Sequence, residues 1–228
     1  MRRQTLLLSL SLAALPLPVA AEPKPKLPPW EKFDEEDGIS VYRREIPGSP
    51  IVALRGEGVV AAPILRVASV LIDSARAPEW IDSLEEVKIL RTISDSERVE
   101  WNHFSTPFVL ADRDFVFKSK LEIKPASKQV LITSSSVNDP AAPKTDYVRG
   151  HIQYANFVLT SLGGGKSTRV LAEVMCDPKG SVAKWIVNLF QKGWPHNTLT
   201  ALRAQVKKKN VTDDPKLKQA MADAGFVP

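Results

Sequence analysis

The sequence contains very little of what proteins use for cross-links, metal sites and membrane spans. Its single cysteine, Cys176, excludes an internal disulfide, so stability has to come from the core. Its three histidines, His103, His151 and His196, are not spaced as metal ligands, and no metal or cofactor is expected. Beyond residues 1–21, no segment approaches the roughly 20 apolar residues of a membrane-spanning helix.

A strong excess of one charge is also missing. The chain has 31 Lys and Arg against 26 Asp and Glu among 228 residues, and Arg2 and Arg3 belong to the leader. The remaining excess is too small to predict a nucleic-acid partner. The run 207–209 of three lysines could touch an anionic surface, but a solvated, positively charged helix end is favoured. We expect a monomer that makes at most transient membrane contact.

The two ends of the sequence differ in composition from its middle. Residues 1–21 have two arginines, an apolar stretch and a small-residue end, which is the pattern of a secretory signal peptide. Cleavage is expected after Ala21, giving a secreted or periplasmic protein. Residues 22–29, EPKPKLPP, predict an extended linker rich in proline and lysine. One domain is expected over 30–211, and residues 212–228 predict a short polar helix or a loose tail.

The middle of the chain predicts an α+β fold. Two strands, over 38–46 and 51–60, are joined by a Pro-Gly-Ser-Pro turn, and a helix is expected to begin at Pro63. The last segment has a wide apolar stripe at helical spacing, interrupted at Gly193-Trp194-Pro195, and should cover the concave face of a sheet. Between them, apolar alternation predicts one antiparallel meander, with strands over about 87–93, 97–105, 113–124, 128–136, 146–160 and 167–177.

Glycines are informative in two places. Gly56 and Gly58 lie on the apolar face of a predicted strand, where glycine indicates close approach by a helix or a ligand. The run 163–165, followed by Lys166, is similar to the end of a phosphate-binding P-loop. That loop needs a glycine where this chain has Thr160, and a helix where this chain has a strand pattern. We therefore expect a hairpin turn.

Residues for covalent or acid-base catalysis are not apparent. The sequence has no G-x-S-x-G elbow, and Cys176 lies within an apolar alternation, as a buried thiol would. Glu100 and Asn102 share a strand face, but the pattern leaves open whether that face is inside or exposed to solvent. On the next strand, period-two counting places six side chains on one face: Arg113, Phe115, Phe117, Ser119, Leu121 and Ile123.

Several short segments follow one another in an order that is more specific than any one of them. They are Asp37-Gly38-Ile39-Ser40-Val41-Tyr42, Trp80, Asp112-Arg113-Asp114-Phe115-Val116, Tyr147-Val148-Arg149, Asp177-Pro178-Lys179-Gly180 and Lys184-Trp185-Ile186-Val187-Asn188. Together, across residues 31–207, they resemble the START domain, the steroidogenic acute regulatory protein-related lipid-transfer family, in a secreted bacterial-type member. The resemblance implies a helix-grip fold, in which a curved antiparallel sheet surrounds a long C-terminal helix and encloses a hydrophobic tunnel.

The same resemblance implies that the protein binds and transfers one lipid and is not an enzyme. Sterol-binding members carry an acidic residue in the strand before the RDF segment and an arginine six positions after that segment's own arginine. These positions are Glu100 and Ser119 here, so the chain should keep the acid and lose its basic partner. Because phospholipid-binding members also use a basic side chain at the second position, Ser119 argues against a phosphodiester headgroup there.

These considerations give a predicted site. We expect Glu100, Asn102 and Ser119 to form the polar end of the tunnel and to bind a hydroxyl or amide of a mostly apolar ligand. An unpaired, ionised Glu100 in an apolar tunnel would cost several kcal/mol unless a water or a ligand hydroxyl donates to it. The other expected ligand-binding residues are Phe117, Leu121, Trp185 and Leu189. Structural ion pairs are expected for Arg113, Asp114 and Arg149.

A second interpretation is catalytic. Helix-grip proteins related to START domains include cyclases and dehydratases, in which pocket carboxylates or histidines move protons, and Glu100 with His103 or His151 would be the candidates. Strand alternation places Glu100 and His103 on opposite faces, which disfavours this interpretation. A third possibility, a module that binds another envelope protein, has no specific support in the sequence.

Overall fold

The computed structural model describes residues 27–106, 110–180 and 184–227, and only the backbone of 184–192. The predicted signal peptide and residues 22–26 of the predicted linker lie outside these ranges. None of the helices within them is both long and apolar enough to span a bilayer.

The strands of the described residues form a single sheet. Their bounds are β1 Glu31–Glu36, β2 Ile39–Glu45, β3 Val52–Val60, β4 Leu84–Ser94, β5 Glu97–Phe104, β6 Arg113–Lys124, β7 Gln129–Ser136, β8 Val148–Arg149, β9 His151–Leu162 and β10 Ser167–Asp177. The order across the sheet is β1-β2-β3-β10-β9-β7-β6-β5-β4, and β8 pairs with β6. The predicted antiparallel meander is confirmed as β4 to β7, β9 and β10. The first three strands join it where β3 pairs with β10.

Two strand predictions need correction. Residues 31–36 form β1, which the sequence did not indicate because EKFDEE has one apolar side chain and no alternation. The single strand predicted over 146–160 is divided at Gly150, and the short first part, β8, runs parallel to β6. The glycine run 163–165 forms the β9–β10 turn with positive φ at all three residues, so the expected hairpin turn is confirmed.

The helices connect and cover the sheet. Helix α1, Ile64–Ile72, follows Pro63 as expected and leads into a 3-10 helix, Ser74–Glu79. Helix α2 spans Lys184–Gln205, and α3 spans Pro215–Asp223. The helix continues through the Gly193-Trp194-Pro195 segment that interrupts its apolar stripe, with Pro195 inside it. Pro195 lies against Gly56 of β3, where an added Cβ would be 2.9 Å from the proline Cβ, so tertiary packing holds the helix here.

The main core lies between the concave face of the sheet, α1, the second half of α2 and α3. Its best buried side chains, all at most 1% exposed, include Ile39, Val41, Val60, Ile64, Val67, Val130, Leu159, Val170, Leu199 and Leu202. Helix α3 is capped by Asp214, whose carboxylate accepts from the Leu217 amide at 2.7 Å. Its apolar face adds Leu217 and Met221 to the same core. The C-terminal segment is therefore a docked helix, one of the two alternatives that the sequence left open.

A second, smaller core lies on the outer face of β5 and β6. Val99, Trp101 and Val116 are buried there under the segment 137–147, which contributes Val137, Ala142 and Tyr147. The outer face is therefore buried around Val99, Trp101 and Val116, whereas further along β6 it carries Lys118, Lys120 and Glu122 and is polar.

Candidate functional site

The inner face of β5 and β6 carries the predicted polar residues. The register pairs Arg98 with Ser119, Glu100 with Phe117 and Asn102 with Phe115, and paired residues of neighbouring strands lie on the same face. Ser119 in turn pairs with Ser134 of β7. The question that the sequence left open for Glu100 is thus answered, since its side chain points inward and the residue is 6% exposed.

Burial changes along the concave face. At one end, the row Val130, Leu159 and Val170 is completely buried under the helices. Two rows further along, Ser134 and its neighbour Ala155 are only half-buried, although α2 spans the same face. The concave surface is therefore completely packed at one end and partly exposed at the other.

Glu100 has a basic partner, contrary to the sequence expectation. Its Oε1 lies 2.6 Å from Nε of Arg98 and also accepts a hydrogen bond from the Ser74 hydroxyl. The expectation of an unpaired acid was wrong because it considered only position 119 as the source of the arginine. Arg98 lies two residues before Glu100 on β5 and directly across the ladder from Ser119. The arginine is therefore present, one strand away from where the resemblance places it.

The Arg98 guanidinium also fixes the end of α1. Its Nη2 donates to the carbonyl of Ile72 at 2.8 Å and to the hydroxyl of Ser74 at 2.7 Å. These contacts join the α1 terminus and the 3-10 helix to β5. Sequence reasoning did not single out Arg98, although Arg98 and Glu100 at period two on one strand were the available signal.

Asn102 and Ser119 complete the polar strip that the sequence predicted. Both are half-buried on the inner face. Within the described part of the chain, Oδ1 of Asn102 has no hydrogen-bond partner although the atom is buried. Ser119 accepts a hydrogen bond from Ser134, with the two oxygens 3.2 Å apart. Their binding of a ligand remains a prediction.

The predicted apolar ligand-binding residues are placed as follows. Phe117 is 8% exposed beside Glu100, and Leu121 is half-buried in the row next to Ser119. The side chains of Trp185 and Leu189 lie outside the described residues, although their backbone belongs to α2. The structure therefore brings Phe117 and Leu121 to the polar strip and leaves the two helix residues as predictions.

One of the expected ion pairs forms and another does not. Asp114, fully buried on the outer face, accepts from both Nε and Nη2 of Arg149, at 2.6 and 2.7 Å, and from the Trp101 indole at 2.7 Å. Burial raises the pKa of Asp114, but these hydrogen bonds outweigh it and hold the pKa below its usual range. Arg113 makes no ion pair in the described residues. It faces inward, away from its acidic neighbour, and donates to the carbonyls of Ala111 and Lys179.

The catalytic candidates are not brought together. His103 lies on the outer face, where its Nε2 is 2.8 Å from a carboxylate oxygen of Asp112 and its ring stacks on Tyr147. Glu100 lies on the inner face of the same strand, so the predicted separation of Glu100 and His103 is confirmed. In the ranges that the structure describes, no group of three or more candidate ligands could hold a metal. Burial raises the pKa of the Cys176 thiol to about 12, which disfavours a thiolate nucleophile.

The chain is similar to known proteins in sequence and in structure. An uncharacterised protein of Pseudomonas aeruginosa is 27% identical over 184 residues, 79% of this chain and 88% of its own length. The phosphatidylcholine transfer protein of Mus musculus is 24% identical over 174 residues, 75% of this chain and 80% of its own length. The crystal structure of a STAR-related lipid transfer protein fragment from Xanthomonas axonopodis has a TM-score of 0.69 and 25% identity, covering 78% of this chain and 99% of that one.

The sequence model of one family matches nearly the whole folded region. It is the START domain model, and it covers residues 19–210. The curved sheet, the long helix α2 across its concave face and the buried acid on β5 agree with the helix-grip architecture that the short segments indicated. The chain belongs to the START domain family.

Proposed function

We propose that the protein binds a single hydrophobic ligand, a sterol or another lipid, in a tunnel between the concave face of its sheet and α2, and carries it through an aqueous compartment. The observation that carries this proposal is the half-covered inner face around Ser119, Ser134 and Ala155, beside a completely packed core. Space lined mostly by apolar side chains, with a few polar groups at one side, is typical of small-molecule sites. The names of two relatives, a phosphatidylcholine transfer protein and a STAR-related lipid transfer protein, support lipid as the ligand class.

The polar strip would select the ligand. Oε1 of Glu100 is paired with Arg98 and accepts from Ser74, so a ligand hydroxyl would donate to Oε2 of the same carboxylate or to Asn102, whose Oδ1 has no partner among the described residues. A buried acceptor without a donor costs about 1–3 kcal/mol, and a ligand that donates to it recovers that free energy. Asn102 and Glu100 are therefore the two residues of the predicted set to which a ligand hydroxyl would donate.

Apolar contact would supply most of the affinity. Burying about 400 Å² of apolar ligand surface at about 25 cal/mol per Å² gives roughly 10 kcal/mol before association costs are subtracted. Micromolar affinity corresponds to about 8 kcal/mol. A lipid-sized ligand can therefore bind usefully with few polar contacts, which is what a carrier that must also release its cargo requires.

The compartment and the route of entry are part of the proposal. The leader pattern of residues 1–21 supports a secreted or periplasmic carrier that acts as a monomer and touches membranes transiently. Entry would involve the first half of α2, with Trp185 and Leu189 closing the tunnel over the ligand. The second half is anchored by Leu199 and Leu202, which are fully buried in the main core.

Native mass spectrometry of the purified protein, followed by lipid transfer between donor and acceptor vesicles, tests the proposal. A co-purified lipid and transfer above the spontaneous rate are expected. Ala155→Trp should abolish both, because the indole would fill the half-covered part of the inner face. Asn156→Trp is the matched control, since the next residue of β9 points to the outer face, and it should keep both activities.

Two results would count against lipid transport. One is wild-type protein that neither retains nor transfers any lipid. The other is an Ala155→Trp variant that folds, as judged by circular dichroism and a cooperative thermal transition, and still transfers lipid at the wild-type rate. If Ala155→Trp fails to fold, the smaller change Ala155→Leu takes its place, with Asn156→Leu as its control.

A further inference from the structure

One row of the inner face brings three hydrogen-bonding side chains together on adjacent strands. Arg98 of β5, Ser119 of β6 and Ser134 of β7 are direct neighbours in the two ladders. Directly paired side chains in antiparallel ladders have Cβ atoms about 4.5–5.5 Å apart. A group that binds to one of these side chains is therefore within reach of the next.

The two serines have hydrogen-bonding capacity left over. Two hydroxyls offer two donors and four acceptor lone pairs, and their mutual hydrogen bond of 3.2 Å uses one of each. One O–H and three lone pairs remain, whichever serine is the donor. Both residues are half-buried on the uncovered part of the inner face, so this capacity is available to a ligand there.

The row carries no net charge. The Arg98 cation is paired with the Glu100 carboxylate at 2.6 Å. The lysines of β6 alternate with Ser119 and lie on the outer face, and β7 has no basic residue. Arg113 faces inward but lies six positions from Ser119, about 20 Å along the strand, and donates to backbone carbonyls there. An anionic headgroup would have to separate the ion pair or remain without a counter-charge, and both are costly in a site that excludes water. A neutral oxygen-bearing group meets neither cost.

We propose that Ser119 and Ser134 form a subsite for the uncharged, oxygen-bearing end of a neutral lipid, such as the hydroxyl and ester carbonyls of a diacylglycerol. This inference rests on the proposed function and names the class of lipid within it. The Ser119 hydroxyl donates to a ligand oxygen, or Ser134 Oγ accepts from the ligand hydroxyl, while Arg98 and Glu100 stay paired. Position 119 thereby distinguishes neutral lipids from lipids with an anionic phosphate.

The test compares two lipids that differ only at the headgroup. Purified protein is incubated with an equimolar mixture of dioleoylglycerol and dioleoylphosphatidic acid, and the two complexes are measured by native mass spectrometry. The wild type should favour dioleoylglycerol by more than about tenfold. The double variant Ser119→Ala with Ser134→Ala should lose about fivefold to tenfold in affinity for dioleoylglycerol. Ser135→Ala is the control: it lies next to Ser134 on the outer face of β7 and should leave the affinity for dioleoylglycerol unchanged.

A variant that gains affinity for the anionic lipid tests the same subsite independently. Ser119→Arg places a second cation in the row without a second acid, and it should shift the preference toward dioleoylphosphatidic acid. Equal or stronger binding of dioleoylphosphatidic acid by the wild type would overturn the subsite and leave lipid transport standing. So would an unchanged affinity for dioleoylglycerol in the double alanine variant. Binding of neither lipid, together with no co-purified lipid, would instead overturn the proposed function.

Discussion

Replacing Arg98 by methionine should destabilise the protein more than replacing its partner Glu100 by leucine. Without Arg98, the Glu100 carboxylate keeps only the Ser74 hydroxyl as a donor, and its side chain is 8% exposed. Without Glu100, the Arg98 guanidinium still donates to the Ile72 carbonyl and to Ser74, and its side chain is 25% exposed. The charge that is left behind is therefore much worse solvated in the first variant than in the second.

The magnitudes follow from these surroundings. Breaking a buried ion pair by removing one member costs about 3–5 kcal/mol, which is the value expected for Arg98→Met. For Glu100→Leu we expect about 1–2 kcal/mol, because the remaining cation keeps its hydrogen bonds and part of its hydration. The double variant removes both charges and should cost about 0–1 kcal/mol. The two substitutions should thus be strongly coupled and far from additive.

Urea unfolding followed by circular dichroism measures these differences. With a slope of about 2 kcal/mol per M, a loss of 4 kcal/mol lowers the midpoint by about 2 M. The matched control is the exposed pair Arg169 and Glu57 on the outer face, for which each single substitution should cost about 0–1 kcal/mol. Equal losses for Arg98→Met and Glu100→Leu that simply add in the double variant would refute the buried pair.

Three further changes test other parts of the structure. Gly56→Ala should cost about 1–3 kcal/mol in unfolding free energy because its Cβ meets α2 at 2.9 Å, whereas Gly193→Ala, inside α2, should be neutral or stabilising. Asp114→Asn should remove the unfolding free energy that the lowered pKa of this carboxyl supplies. The loss relative to wild type should be full above about pH 4 and should disappear as the pH falls through the folded-state pKa. Unfolding curves recorded between pH 2 and pH 7 measure it. Leu217→Ala should lower the unfolding free energy by about 2–5 kcal/mol, and with it the thermal midpoint, because Leu217 is buried. Lys218→Ala, at the exposed neighbouring position, is the control and should leave the midpoint unchanged.

Much of the sheet could be predicted because its strands have one apolar face. Alternation located β5, β6 and β10 to within a residue or two, and the turns between them carry glycine, proline or polar residues. Strand β1 was missed because its side chains are almost all exposed. The small core on the outer face of β5 was missed because the segment 137–147 that covers it has no periodic pattern of its own.

The site was predicted in part. The sequence singled out Glu100, Asn102 and Ser119, and all three lie on one face of two paired strands. Period two places Arg98 on the same face as Glu100, but its position across from Ser119 could not be located from the sequence, because that depends on the register of β5 against β6. A shift of one residue in that register would put Val99 or Glu97 in place of Arg98. Alternation along a strand predicts which side chains share a face, but it does not predict which residues pair across two strands.

The position of the acid and the base on one strand affects how the protein can change during evolution. Arg98 and Glu100 are two positions apart on one strand, so their pairing does not depend on which residues β6 carries. Position 119 is then released from serving as the counter-ion and can mutate without leaving a buried acid unpaired. Related chains that keep the Arg-x-Glu spacing on this strand should therefore vary more at position 119 than chains in which that position supplies the arginine. An alignment of such sequences would make this difference visible.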